Sequence, residues 1–99
     1  MIIRVWKCNV KQDKVDEFLA FTNRYMIPIL KAQSGCLGHY VGKLELSKHP
    51  RFVIITLWKD FEAIREFTGP NWQTARIDPV EAPLLDGQPM VEHYTSTVA

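Results

Sequence analysis

A strand pattern runs directly into a helix pattern in the segment Arg51-Phe-Val-Ile-Ile-Thr-Leu-Trp-Lys-Asp-Phe-Glu-Ala-Ile-Arg-Glu-Phe-Thr-Gly-Pro-Asn-Trp72. Residues 52–58 are apolar or β-branched, which is typical of a strand buried on both faces. Asp60 is a good N-cap, and apolar residues then recur at helical spacing, at Phe61, Ile64 and Phe67. Gly69-Pro70 ends this helix. A buried strand of this kind needs neighbours on both sides.

The preceding half of the chain supplies a strand and a long helix. Residues 2–10 form a strand with two largely apolar faces, so we predict a second central strand. A broad apolar stripe predicts a helix from about Lys14 to Gln33, capped by Asp13 or a neighbour. Pro28 lies inside this stripe and is expected to bend the helix without ending it. Ser34-Gly35 closes the helix.

Two further strands complete the pattern. Leu37–Leu46 is predicted as a half-exposed or edge strand, because polar and apolar residues are mixed on its faces. Met90–Val98 is predicted as the last strand. The connection between, Asn71–Pro89, is irregular except for a short helical piece at Val80–Leu85, which follows Asp78-Pro79. A connection of this length often forms a lid or a pocket wall.

The predicted order is β-α-β-β-α-β, a ferredoxin-like α+β fold with one four-stranded antiparallel sheet. We expect residues 1–99 to form a single domain. Both helices should cover one face of the sheet, and no segment remains for the apolar opposite face. We therefore predict a homodimer.

Composition narrows the class of protein further. The chain has 99 residues, is 46% hydrophobic and carries a formal net charge of +1. Such a chain is not disordered, and it lacks the positive charge expected for binding nucleic acid or an acidic membrane. No stretch is long enough to span a membrane, and the first residues lack a signal-peptide pattern. We expect a cytoplasmic protein with reduced Cys8 and Cys36, a disulfide between them being the alternative.

Several motifs resemble the antibiotic biosynthesis monooxygenase (ABM) family. They are Met1-Ile-Ile-Arg-Val-Trp6, Ser34-Gly35, Leu57-Trp-Lys-Asp-Phe-Glu-Ala-Ile-Arg-Glu-Phe67 and Val91-Glu-His-Tyr94. The resemblance implies a dimeric α+β barrel with a pocket in each subunit between the helices and the sheet. It also implies cofactor-independent oxygenation of a small aromatic molecule, such as a quinol or a polyketide. Other members of the family degrade heme.

The heme-degrading branch pairs a Trp on the second helix with a His about ten residues later, and has an Asn on the first strand. Here Phe67 occupies the Trp position, and the His position falls near Arg76-Ile77. Asn9 lies on the first strand. Two of the three features are missing, so we expect no heme cleavage.

The candidate site residues follow from strand parity and from the irregular segment. His93 lies in the middle of the last strand and could act as a general base, or it could be a structural histidine near the dimer interface. If Val91, His93 and Thr95 face the helices, His93 meets the pocket; otherwise Tyr94 is the better polar group.

Aromatic and basic residues complete the candidate site. Trp6, Trp58 and Trp72 could form an aromatic wall; Trp72 is the best pocket candidate, Trp6 could be core or pocket, and Trp58 is expected in the core. Phe67 and Asn9 are further candidate contacts. Arg76 could stabilise an enolate or phenolate, the alternative being an ordinary exposed arginine. We expect no metal, because the histidines and cysteines lack ligand spacing, and no bound cofactor.

Three functions from different classes fit the predicted fold. The first is a cofactor-independent monooxygenase with its pocket between the second helix, Asn71–Leu85 and the sheet. The second is a non-catalytic dimer that binds a small ligand. The third, an RNA-recognition module, ranks last because the central strand Arg51–Lys59 lacks alternating aromatic and basic residues.

Overall fold

The protein has a four-stranded antiparallel sheet with helices on one face. The structure is a computed structural model and describes residues 1–98. The strands are β1 (Ile2–Asn9), β2 (Cys36–Lys43), β3 (Arg51–Trp58) and β4 (Met90–Thr95), and their order in the sheet is β2-β3-β1-β4. The helices are α1 (Val15–Phe21), α2 (Ile27–Lys31) and α3 (Phe61–Thr68). The ferredoxin-like prediction is confirmed, with β1 and β3 in the centre and β2 at an edge.

Strand register determines which side chains meet the helices. The even-numbered residues of β1 and β3 point to the helices and are buried: Ile2, Arg4, Trp6 and Cys8 on β1, and Phe52, Ile54, Thr56 and Trp58 on β3. Arg4 pairs with His93 on β4, so His93 also lies on the helix side. Ile3 pairs with Tyr94, which places Tyr94 on the helix-free side. The parity of the last strand is thereby decided.

The first long helix passes through Pro28, as predicted. A π-helical turn, Thr22–Met26, joins α1 to α2, and the backbone N–H of Ile27 donates to the carbonyl of Thr22. This wider turn comes directly before Pro28, which has no N–H and crowds the preceding turn of an ordinary α-helix. The prediction of a side-chain cap by Asp13 or a neighbour is wrong, since Lys11 and Lys14 occupy the N-cap positions and make no capping hydrogen bond. The helix begins after a 3₁₀ turn, Gln12–Lys14, and no side chain caps either of them.

The second helix, α3, has the predicted ends. The Asp60 carboxylate accepts a hydrogen bond from the backbone N–H of Ala63 at 2.9 Å, and Gly69 ends the helix with φ 84°. Only glycine adopts that backbone conformation without strain. Gly35 has a different role, because a Cβ atom at this position would lie 2.3 Å from the Cβ of Ala63. The chain before β2 can approach α3 this closely only with glycine.

Several element ends differ from the prediction for local reasons. Val10 leaves β1 and bridges to Leu85, and the predicted helical piece at 80–85 is a 3₁₀ turn, Ala82–Leu84. β4 stops at Thr95 because that residue pairs with Ile2, the first residue of β1. β2 ends at Lys43 rather than Leu46, and the long helix ends at Lys31 rather than Gln33. Both cysteines are free thiols.

Candidate functional site

A row of polar side chains crosses the helix-facing side of the sheet. It runs from His39 on β2 through Thr56 on β3 and Arg4 on β1 to His93 on β4. Apolar clusters lie on both sides of this row, one around Trp6 and Ile54 and the other around Ile2 and Trp58. The Trp58 indole N–H donates to the Thr56 hydroxyl at 2.8 Å. Polar groups at this depth need partners, so the row is a candidate site.

Arg4 is the buried cation of this row. Its side chain is 5% exposed, and Nη1 donates to the carbonyl of Trp72 at 2.8 Å. The same nitrogen lies 2.7 Å from Nε2 of His93. A guanidinium can only donate, so Nε2 is the acceptor and the imidazole is neutral with its hydrogen on Nδ1. Burial lowers the pKa of Arg4 to about 10, which leaves the side chain charged at neutral pH.

A cavity of about 80 Å³ opens beside Arg4. Its walls come from the sheet, the long helix, α3 and the irregular segment before β4. The lining residues are Arg4, Trp6, Met26, Ile29, Leu30, Ile54, Thr56, Phe67, Thr68, Arg76, Asp78 and Glu81. Most of this wall is apolar, and the charged groups are concentrated at Arg4 and along the irregular segment. A concave, mostly apolar space with a few convergent polar groups is typical of a small-molecule site.

Glu81 is the buried acid of the cavity. It is 4% exposed, and burial raises the pKa of its carboxyl to about 7, with the charge of Asp78 adding to the rise. The backbone of Asp78 opposes this rise through a hydrogen bond. Asp78 in turn accepts from the backbone N–H of Val80 at 2.9 Å, which fixes the turn that carries Glu81. A carboxyl with a pKa near neutrality can exchange a proton at physiological pH.

His93 is held in a half-buried position against aromatic rings. Its ring makes an edge contact with Trp72 at 5.0 Å between centroids and lies 6.3 Å from Phe61. Burial and the charge of Arg4 both lower the pKa of His93. The imidazole is therefore neutral at pH 7, but the lone pair of Nε2 is already occupied by Arg4. His93 does not line the cavity itself and contacts it through Arg4.

Three predicted site residues do line the cavity. Trp6 is buried there, and its indole N–H donates to the carbonyl of Arg76 at 3.2 Å. Phe67 stacks on Trp58 with 5.3 Å between ring centroids. Arg76 is exposed at the mouth, with its guanidinium 5.5 Å above the Phe67 ring and a hydrogen bond to the Phe67 carbonyl at 3.1 Å.

The other predicted contacts lie elsewhere. Trp72 packs on Phe61 and contributes its carbonyl to Arg4, but its ring is not part of the cavity wall. Tyr94 donates its hydroxyl to Glu92 at 3.0 Å on the helix-free side of the sheet. Asn9 is exposed at the end of β1, where it lines a second, more open pocket of about 690 Å³ formed by the ends of β1, β2 and β3. The structure does not bring these three side chains to the cavity.

Sequence reasoning missed Arg4 and Glu81. Arg4 has a usable signal, because it shares a strand face with Ile2, Trp6 and Cys8, where an unpaired charge is unexpected. Glu81 stands three residues after Asp78, which is the spacing of a capping box and predicts an exposed helix start. Its burial depends on packing against the sheet, which local spacing does not report.

No group of three or more His, Cys, Asp or Glu side chains that could hold a metal occurs among residues 1–98. Over the same residues, no helix has both the length and the apolar character needed to cross a membrane.

Solved structures with the same fold are similar to this chain over nearly its whole length. A crystal structure of an antibiotic biosynthesis monooxygenase has 16% identity and a TM-score of 0.78, covering 99% of this chain and 100% of that one. Rv0793 from Mycobacterium tuberculosis has 15% identity and a TM-score of 0.77, with 99% and 96% covered. SnoaB, a cofactor-independent oxygenase from Streptomyces nogalater, has 18% identity and a TM-score of 0.75, with 99% and 94% covered.

At these identities the structural matches establish the fold alone. No curated protein matches the sequence. The family model for antibiotic biosynthesis monooxygenase matches residues 1–75, which include β1, the long helix, β2, β3 and α3. The chain belongs to the antibiotic biosynthesis monooxygenase family.

Proposed function

We propose that the protein is a cofactor-independent monooxygenase that oxidises a small aromatic, quinol-like or polyketide-like molecule in the cavity beside Arg4. The observation that carries the proposal is Glu81, a buried carboxyl with a pKa of about 7 in a mostly apolar cavity. Family membership supports the same reaction class.

The reaction requires from the protein only a base and a cavity that excludes water. Glu81 takes a proton from an acidic O–H or C–H of the substrate and leaves an electron-rich anion. That anion reduces O₂ and bonds to it, and the proton on Glu81 returns to form a hydroperoxide. When the oxygenated carbon carries a hydrogen, that hydrogen and the terminal O–H leave as water and the O–O bond breaks. A new carbonyl forms, so one oxygen atom enters the product and the other becomes water. The substrate supplies all the electrons.

Other cavity residues would assist the anion. Arg76 stands at the mouth, where its positive charge would stabilise an enolate or phenolate. Trp6 and Phe67 would pack against an aromatic ring. Exclusion of water by these walls strengthens the electrostatic interactions inside.

We place the base at Glu81 rather than at His93 because of the hydrogen bond from Arg4. His93 can accept a proton on Nε2 only if that bond breaks and two positive charges come together. Its role in this proposal is to hold the Arg4 guanidinium, as a positioning residue. Glu81 lines the cavity directly.

Oxygen uptake with a panel of quinols and hydroxyanthrones tests the proposal. Glu81→Gln should reduce uptake by about a hundredfold or more if it removes a general base. His93→Gln keeps a hydrogen-bond acceptor for Arg4 and should retain most of the oxygen uptake. His93→Ala removes that acceptor and should lose most of the oxygen uptake. The pH profile of the His93→Ala protein should not show the change expected for a lost base. Full activity in a folded Glu81→Gln protein would rule out Glu81 as the base. Saturable binding without oxygen uptake for the whole panel would indicate a ligand-binding module instead.

We also propose a homodimer formed through the helix-free face of the sheet. Val5 on β1 and Val53, Ile55 and Leu57 on β3 are only partly buried there, and Tyr40 on β2 is 66% exposed. Lys7 and Glu92 form an ion pair at 3.2 Å toward the edge of this face. Aliphatic residues at the centre with charges at the rim are typical of an interface between identical subunits.

A further inference from the structure

The Arg4 guanidinium has neutral partners only. Its contacts are the Trp72 carbonyl and the neutral His93 ring, and both involve Nη1. Within residues 1–98, no carboxylate oxygen lies within 4.0 Å of an Arg4 nitrogen. The described part of the chain also offers no hydrogen-bond acceptor to Nε or Nη2. Three of the five N–H donors of a guanidinium belong to those two nitrogens.

A buried cation without an anion is costly for the fold. Desolvation disfavours the charged form, and charged groups in protein interiors are normally paired. The acids of the same cavity, Asp78 and Glu81, form no ion pair with Arg4, since neither carboxylate lies within 4.0 Å of its nitrogens. The free donors of Arg4 are therefore open to the cavity and available to a negative charge from outside the chain.

We propose that Arg4 binds an anionic oxygen group of the ligand, so that the cavity takes a small organic acid rather than a neutral aromatic. A carboxylate fits the guanidinium geometry and can accept two parallel hydrogen bonds, from Nε and Nη2. The apolar body of the acid would then lie against Leu30 and Ile54.

The size of the cavity limits that body. A cavity of roughly 150 Å³ is known to hold benzene, whereas this one measures about 80 Å³. A short acid fits inside, and a single ring fits if it extends toward the mouth, where Ile29 and Arg76 are exposed. A fused ring system, such as that of a hydroxyanthrone, would place one ring beside Arg4 and extend its other rings through the mouth.

This inference rests on the proposed function for the position of the site, and it narrows the substrate. A phenol that carries a carboxyl group would place the carboxylate on Arg4 and leave its hydroxyl for Glu81. The carboxylate would bind the substrate to Arg4 without reacting, and the phenol would be the group that is oxidised.

Benzoate and benzamide form a matched pair of probes, because they have nearly the same shape and differ in charge. Titration of the full-length protein, followed by calorimetry and by NMR shifts of Trp6 and Thr56, should show benzoate binding at least about tenfold more tightly than benzamide. Neither probe can be oxidised through a phenol, so binding is measured apart from catalysis.

Variants then assign the preference to Arg4. Arg4→Met should weaken benzoate binding to the level of benzamide binding, while Arg4→Lys should retain part of the preference for benzoate because the charge remains. Arg65→Met is the control, since Arg65 is an exposed arginine on α3 paired with Glu62 at 3.4 Å. It should bind both probes as the unmodified protein does.

Equal affinity of the unmodified protein for benzoate and benzamide would overturn the inference, whether or not the Arg4 variants fold. Undiminished benzoate binding by folded Arg4→Met would also overturn it. If the protein prefers benzoate but takes up no oxygen with any phenol, the anion site at Arg4 is supported and the oxygenase proposal is refuted. Oxygen uptake together with equal binding of benzoate and benzamide would support the oxygenase and refute the anion site.

Discussion

Glu81 links the chemistry of the cavity to the stability of the protein. The folded state raises the pKa of this carboxyl from 4.5 to about 7, because burial disfavours the carboxylate. The folded protein thus binds the proton more tightly than the unfolded chain does. The stability contributed by the protonated carboxyl is complete below the unfolded pKa and is lost as the pH rises through the folded pKa.

The free energy of unfolding should therefore fall between pH 5 and pH 8 by roughly 2 kcal/mol on account of Glu81, after allowance for solvent screening. Glu81→Gln has no charge at this position and should not show that part of the fall. Urea unfolding at several pH values measures both proteins, with Glu66→Gln as the exposed control on α3. Parallel profiles for the unmodified protein and Glu81→Gln would contradict the prediction.

At the scale of single residues, the sequence predicted the lining positions Trp6, Phe67 and Arg76 but not the two buried charges. Aromatic residues near a predicted pocket are recognisable from their type and position. The burial of Glu81 depends on how residues 78–85 fold back over β1, through bonds such as Lys11 N–H to Leu84 carbonyl at 2.9 Å. Such long-range contacts leave no periodic pattern in the sequence.

The π-helical turn in the long helix contains an unsatisfied hydroxyl. Thr22 is 1% exposed, and its Oγ1 has no hydrogen-bond partner within residues 1–98. Thr22→Val keeps the shape of the side chain and removes the buried polar atom, so it should raise the free energy of unfolding by about 1 kcal/mol.

Thr68→Val is the matched comparison for Thr22→Val. The Thr68 hydroxyl donates to the carbonyl of Ile64 at 2.9 Å, so this substitution should not stabilise the protein. Thermal and urea unfolding of both variants give the answer. Destabilisation by Thr22→Val would show that the hydroxyl has a partner in solution, such as water.

The contact between Gly35 and α3 can be tested by a pair of substitutions. Gly35→Ala would place two Cβ atoms 2.3 Å apart and should cost about 1–3 kcal/mol through forced separation of the chain from α3. Ala63→Gly alone should cost about 1 kcal/mol as a helix glycine. The double variant removes the clash, so it should be more stable than the sum of the two single changes predicts. Simple additivity in urea unfolding would contradict a direct contact.

The helices and strands were easier to predict from the sequence than the residues at which they begin and end. Both ends of α3 could be predicted from the sequence. Asp60 caps the first turn with its side chain and Gly69 ends the helix at a positive φ, and both effects depend only on neighbouring residues. The π turn was not predicted, since only the conflict between Pro28 and the continuing apolar stripe indicated a distortion there. β4 ends where its partner strand begins, which no local signal within residues 90–98 could indicate.

The whole molecule presents an aliphatic sheet face that suits a second copy of the chain. Light scattering should therefore give a mass of twice 11.5 kDa at micromolar concentration. Ile55→Asp places a charge at the centre of this face and should yield monomers of lower stability, because folding and association would be coupled in a dimer formed through it.

Leu46→Asp provides the control for that experiment. Leu46 is fully exposed in the turn between β2 and β3, at φ 59°, and lies outside the centre of the face. The Leu46→Asp protein should be dimeric, as the unmodified protein is expected to be. A monomeric mass for the unmodified protein would contradict the homodimer. The sequence predicted this arrangement at the level of topology, since the alternation of apolar residues on two central strands left one face without a cover.

The segment over the cavity is fastened to the sheet through main-chain oxygen atoms. Arg4 and Trp6 donate to the carbonyls of Trp72 and Arg76, and neither bond depends on which side chain stands at the accepting position. The path of this segment can therefore persist while its side chains change. For protein engineering, this makes position 76 suitable for substitution, because its side chain lines the cavity while its carbonyl, which holds the backbone to the sheet, is present in every variant.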